Sequence, residues 1–224
     1  MDISILLNEE VLLSASILNS LVLVIILSIV FVIAGRAIKR SDPRKPTKGI
    51  ALIFELFVGG IDGFCKNLTN DPVGRYSALI GMLVLYLIPA NLLGLIGLTS
   101  PTSNYNVTLS LAVFSLFILH GSGIKLNGFG SYFKGLLLGD FPALLPLNFI
   151  GELAKFLSLS FRLFGNILSG GILSAVVIQL AGWLTIPFMP FLNIYFDIFA
   201  GLLQTLIFTF LLMIWLGDTI PANE

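Results

Sequence analysis

Residues 152–169 read ELAKFLSLSFRLFGNILS, and they set one guanidinium, Arg162, inside a segment that otherwise has the composition of a membrane-buried helix. The next charge along the chain is Asp197, and the nearest ones before it are Lys155 and Glu152. Arginine keeps its proton under any attainable condition. A fixed charge at membrane depth costs about 2.5 kcal/mol on insertion scales and roughly 10 or more in simulations, so such a residue faces a protein interior or a wet cavity and carries a function. The plain alternative is a side chain snorkelling from a helix end; the long uncharged flank after Arg162 argues against it. At about 3.6 residues per turn, Lys155, Ser158, Arg162, Asn166 and Ser169 share one face and form a polar stripe. Phe156, Leu159, Leu163, Phe164 and Ile167 fill the other sides and suit lipid or packed helices.

Outward from this stretch, two apolar segments are longer than one crossing requires: about Ala143 to Ala181, and Ile186 to Gly217. A helix of roughly 35 residues rises about 50 Å, against a hydrocarbon core of about 30 Å, so each must tilt strongly or break. Trp183, Pro187 and Pro190 are placed to bend the chain between them. The second segment has its own stripe of polar and small residues, Asn193, Asp197, Gly201 and Gln204. An intramembrane carboxylate is a functional candidate by default. Asp197 reads as a transport group or as a structural partner for Arg162, and both roles can coexist.

The whole composition agrees: 57% of the residues are hydrophobic, 11% are charged and the mean hydropathy is +1.02, which marks an integral membrane protein. Uncharged runs of this length favour spanning helices over a barrel. Basic and acidic residues balance at 12 each, so net charge gives no argument for nucleic acid. One cysteine, Cys65, excludes an internal disulfide and a thiolate cluster, and one histidine without clustered carboxylates argues against a metal site. Val11 to Gly35 is uncharged and long enough for a first spanning helix near Ser16 to Ile38, read as retained and not as a cleaved signal. Six of the twelve basic residues then fall between Arg36 and Lys48. By the positive-inside rule that loop is cytoplasmic and the N-terminus lies outside; topology explains the run without a lipid or nucleic-acid patch.

Gly49 to Leu68 carries apolar residues at Ile50, Phe54, Phe57, Val58, Ile61 and Phe64, fitting an amphipathic helix along the membrane surface with Cys65 as an interfacial apolar residue. Tyr76 to Ile124 contains no formal charge and can cross twice, near Tyr76 to Leu98 and Val107 to Ser122, with a turn over Leu98 to Asn106. Pro89, Ala90 and Asn91 interrupt the first crossing, as a kink or as the polar wall of an aqueous inlet. His120, near an inner helix end, reads as packed or interfacial more readily than as a proton relay. Lys125 to Asp140, rich in glycine, reads as a cytoplasmic loop.

Several of these stretches together resemble one family. FLSLSFRLFGNILSGGIL (156–173), NVTLSLAVFSLFIL (106–119), GIKLNGFGSYFKGL (123–136), PLNFIGELAK (146–155) and LLQTLIF (202–208) resemble, in the same order, subunit a of the rotary F-type ATP synthase, the stator channel protein beside the ring of c subunits. The resemblance covers roughly Ala51 to the C-terminus. It implies an all-α polytopic membrane protein, one integral domain over 1–224 with about five embedded helices: an N-terminal helix in 1–40, an interfacial helix in 49–68, two helices in 76–124, and a tilted hairpin in 141–218 that lies along the c-ring and carries the ion path. It further implies two aqueous half-channels for H+ or Na+, with Arg162 between them and Asn166 and Gln204 nearby.

Two positions where the family commonly places a carboxylate and a histidine are Gly171 and Asp197 here, so Asp197 carries that titratable role alone. Asn148 stands where many members have a glutamate, with Glu152 one turn on, and Gly94 where some have an aspartate. Ser169 and Asn91 complete the candidate ion path. The implied partners are the c-ring, b-type peripheral stalk subunits, the lipid bilayer and the translocated ion, without nucleic acid, cofactor or metal, in a bacterial plasma membrane. The chain would be non-catalytic by itself. A fixed cation between two half-channels favours the ionised form of each passing carboxylate and repels a leaking cation. The competing classes are an unrelated polytopic transporter, which should show inverted repeats that this chain lacks, and a scaffold subunit, which would not need Arg162.

Overall fold

The computed structural model describes residues 3–40, 49–69, 74–138, 145–182 and 185–219, and among them every regular element is a helix. In chain order these are α1 (Ile3–Arg40), α2 (Ile50–Thr69), α3 (Ser77–Leu92), α4 (Tyr105–Asn127), α5 (Phe129–Leu138), α6 (Leu145–Ala181), α7 (Thr185–Asn193) and α8 (Gly201–Thr219). A π-helical segment, Ile194–Ala200, joins α7 to α8 without a break, and two short 3-10 turns, Leu93–Ile96 and Pro101–Ser103, connect α3 to α4. Among the described residues, five stretches are long and apolar enough to cross a membrane: Ala15–Arg36, Ser77–Ile96, Tyr105–Asn127, Leu145–Leu180 and Met189–Thr219. They coincide with the five expected from the sequence. Helices are the form that satisfies every backbone group internally where no water is available.

The centre of the bundle is where α3, α4, α6 and α8 meet. Leu83, Leu87, Ala112, Leu119, Leu159, Leu163, Phe208 and Leu212 are buried there. α4 lies against α6 and α8, α3 against α8 and α2, and α1 on the flank of α3. Outward faces stay apolar: Leu18, Val22, Ile25 and Ile29 of α1 and Ile172 and Leu173 of α6 are exposed, as suits lipid-facing surfaces. Lipid is as apolar as the core, so helix association depends on close packing and interhelical hydrogen bonds. Small residues supply the close approach. An ideal Cβ on Gly170 would come within 2.9 Å of the Phe196 ring, and one on Gly217 within 2.8 Å of the Leu68 carbonyl.

The connection between α3 and α4 is built from its own polar residues. Gly97 takes a left-handed conformation (φ 74°) that ends the first 3-10 turn. Asn104 caps α4, its side chain accepting from Asn106 N at 2.9 Å. Asn104 Nδ2 also donates to Ser16 Oγ at 3.2 Å, and Asn19 Nδ2 donates to Thr99 O at 2.8 Å, so this connection sits beside the N-terminal half of α1.

Four local expectations change. α4 continues through Asn127, and Lys125 to Asp140 is not a loop over its described part: Phe129–Leu138 is helical. Glycine lowered the helix propensity, but packing of Tyr132 on α4 overrides it. Cys65 is wholly buried, not interfacial, because the inward face of α2 runs through Phe54, Phe57, Ile61 and Cys65 and leaves Val58 and Phe64 exposed. Pro89 does not interrupt α3, which continues to Leu92 before tightening into the 3-10 turn. At the hairpin bend, Gly182 has φ 52°, Pro187 falls in the first turn of α7 and Pro190 lies inside it, while Trp183 is outside the described residues.

Candidate functional site

Leu159 and Leu163 bind α6 into the core, and this orients the residue between them. Arg162 lies on an exposed face with Ser158 and Phe161. No ion pair to Arg162 forms among the described residues. On its flank Tyr105, at the start of α4, stacks on Phe161 (5.2 Å between ring centroids) and meets Phe164 edge-on (5.8 Å). One turn further along α6, Asn166 Nδ2 donates to Gln204 Oε1 of α8 at 2.9 Å, and Ser169 Oγ donates to Asn166 O at 3.0 Å. Gln204 is 2% exposed and its Nε2 has no partner among the described residues.

Asp197 occupies a different place. Its carboxylate lies against Gly94, where an ideal Cβ would stand 2.9–3.1 Å from the carboxyl atoms. Asp197 is half-buried and lines a cavity of about 260 Å3 together with Gly94, Thr99, Ser100, Ser103, Gly171, Ser174 and Asn193. Three positions drawn from separate parts of the chain, Gly94, Gly171 and Asp197, thus converge. The cavity is at the α3–α4 connection, on the side of the N-terminal half of α1. Its lining holds a single carboxylate among hydroxyl and amide groups. A direct Arg162 to Asp197 ion pair is absent among the described residues.

The π-helical segment explains how one stripe serves two neighbours. Asn193 and Asp197 open on the cavity, whereas Gly201 and Gln204 turn to α3 and α6. A π turn inserts a residue into the helical register and is frequent at functional sites. Between the two regions stands a hydrogen-bonded wall. Asn91 Nδ2 donates to Gly201 O and to Thr205 Oγ1, each at 3.2 Å, and Thr102 Oγ1 donates to Asn91 Oδ1 at 2.8 Å. Ser100 Oγ adds a bond to Ala90 O at 2.6 Å. Asn91 is 1% exposed, so it backs the cavity without lining it.

Toward the other end of α6, Glu152 Oε1 pairs with Lys155 Nζ at 2.6 Å, and Lys155 sits 5.9 Å over the Trp215 ring. Asn148 is half-buried near the start of α6. The polar stripe of α6 is therefore real as a surface but divided in use: an ion pair at Lys155, an open face at Ser158 and Arg162, and a contact to α8 at Asn166. Ser100, Ser103 and Ser174 are lining residues that sequence reasoning did not name. Ser174 stands three residues after Gly171 on the same helix face, a spacing that could have pointed to it.

Apolar spanning helices around a core crossed by buried amide and hydroxyl bonds define a polytopic helical membrane protein. Residues 17–217 match the family model described as ATP synthase A chain. Similar proteins include ATP synthase subunit a of Aliarcobacter butzleri, 37% identical over 207 residues (90% of this chain and 88% of the relative), and that of a Sulfurihydrogenibium species, 35% identical over 213 residues (93% and 98%). Subunit a of Helicobacter pylori is 31% identical over 181 residues, 79% of this chain and 78% of the relative. The chain belongs to the ATP synthase subunit a family and is an integral membrane component that assembles with other ATP synthase subunits.

Proposed function

We propose that this chain is the stator channel of the Fo motor. Two aqueous half-channels lead from opposite sides of the bilayer to the carboxylates of a c-ring, and Arg162 separates them. The observation that carries the reading is an exposed arginine on an apolar helix with no acidic partner among the described residues, one turn from the Asn166–Gln204 bond that ties α6 to α8. A permanent cation so placed can receive a carboxylate arriving on another protein. It favours release of the bound ion there. The cavity around Asp197 serves as the outer half-channel, with Asp197 as its exchanging group.

Stalk subunits of the b type hold the assembly against rotation, in a bacterial plasma membrane with the N-terminus outside. α2 lies along the inner surface. Coupled synthesis and passive ion conductance in vesicles test the reading. Arg162→Ala should abolish ATP synthesis and ATP-driven pumping while the complex still assembles, and Arg162→Lys should also fail because an ammonium lacks the planar fork. Near-normal coupling in Arg162→Lys, or in the double variant Arg162→Gln with Asp197→Asn, would overturn it.

A further inference from the structure

At the opposite end of the bundle from the Asp197 cavity, α4, α5, α6 and α8 enclose a second cavity of about 350 Å3 whose lining includes Tyr132, Glu152, Lys155 and Asp218. Asn127 Nδ2 closes one edge by donating to Thr219 O at 2.8 Å. Tyr132 is 8% exposed, and its ring occupies the space that a side chain on Gly123 would take. Held there, the hydroxyl of Tyr132 lies 2.7 Å from Nδ1 of His120, a residue of α4 whose ring also packs on Phe156. Burial, and then the charge of Glu152, push the Tyr132 hydroxyl up to about 12, so it stays neutral and keeps its proton to donate.

The charged groups around His120 are Glu152 and Lys155 of α6, bonded to each other at 2.6 Å, with Asp218 of α8 exposed at the cavity's edge. Imidazole is the side chain whose ordinary titration falls between pH 5 and 8. Along α6, Lys155 precedes Arg162 by seven residues, about 10 Å of helix rise, with Ser158 exposed between them.

We propose that this cavity is the proton-collecting vestibule of the cytoplasmic half-channel, and that Tyr132 and His120 form its proton-exchanging pair. The inference rests on the channel reading above and deepens it. The step is a proton transfer alone. A water-borne proton binds the Tyr132 oxygen as the hydroxyl's own proton moves to Nδ1, giving the imidazolium, and the reverse hands it back to the vestibule water, so the pair holds a proton at the channel mouth until it is drawn onward. A neutral phenol and imidazole exchange protons and do not bind sodium, so the pair serves proton transport.

Inverted membrane vesicles carrying the whole complex expose this face to the bath. His120→Gln and Tyr132→Phe are compared with the unmodified complex for ATP-driven proton pumping while the bath pH is raised from about 6 to about 8.5. Subunit abundance is read on the same membranes. Both variants should assemble normally and pump nearly as well at the acid end, then fall about tenfold below the unmodified complex at the alkaline end. Imidazole in the bath should restore much of the loss, and sodium should change nothing. A pH profile unchanged in both variants would overturn the proposal, as would a loss uniform across pH and insensitive to imidazole, or pumping that requires sodium. Arg162→Ala separates the two levels. Pumping that survives it removes the channel reading itself, whereas pumping abolished there but untouched in the His120 and Tyr132 variants removes only the vestibule.

Discussion

A side chain in lipid is judged by what it can pair with, and Asp197 shows how this decides a role. Its carboxylate faces a cavity lined with Ser100, Ser103, Ser174 and Asn193 instead of a cation. A structural ion pair predicts that neutralising it releases its partner and costs the subunit its place in the membrane. A channel group predicts normal abundance with slowed flux. Asp197→Asn should therefore assemble and pump about tenfold more slowly, read as subunit level against ATP-driven pumping; normal pumping would remove Asp197 from the path. Asn91 contrasts with it, because its amide spends both atoms on Gly201, Thr205 and Thr102. Interhelical bonds of this kind contribute about 0.6–2 kcal/mol each in membranes. Asn91→Ala should thus lower the thermal stability of the detergent-solubilised complex by about 1–3 kcal/mol with little change in the cavity.

At the scale of elements, the π-helical segment Ile194–Ala200 sets the angle between Asp197 and Gln204. Deleting one residue there, for example Ile198, would restore ordinary helical register and turn Asp197 by about 100° relative to Gln204. The expected result is an assembled complex with intact Asn166–Gln204 packing and lost ion flux, measured by passive conductance. Unchanged conductance would show that the π turn has no part in placing Asp197. Gly94→Val is the complementary probe. It puts atoms where the Asp197 carboxylate now lies, so flux should fall while α3 itself, already apolar, is preserved.

For the molecule as a whole, the positive-inside rule predicts which cavity would face which compartment. Cysteines replacing Lys39 or Lys45 should label from the cytoplasmic side and one replacing Glu9 from outside. Native Cys65 should stay silent because it is fully buried. The reverse pattern would exchange the two proposed half-channels. Assembly of the bundle can be probed at Gly217, where α8 presses on the end of α2. Gly217→Leu would drive a side chain into the Leu68 carbonyl and Thr69, costing about 1–3 kcal/mol, visible as a lower melting temperature of the complex.

The five crossings, the excess length of the last two, and the isolation of Arg162 were legible in the sequence because lipid imposes a one-dimensional code: about 20 apolar residues per crossing, and a high cost for any charge inside. Asp197 was legible too, as an intramembrane carboxylate, and resemblance added Gly171 and Gly94 without their distances. What only the tertiary structure decided depends on contacts between distant segments. Gly94 and Asp197 are a hundred residues apart in the chain yet touch, because Asn91, Gly201 and Thr205 fasten α3 to α8. Helix α5 was hidden because the glycine-rich stretch from Lys125 to Asp140 looks unstructured until Tyr132 finds the bare backbone of Gly123. The inward face of α2 and the π turn at Asp197 escaped for the same reason. Periodicity tells which residues share a face, but which face turns inward, and where the period itself changes, is set by the neighbour that the helix packs against.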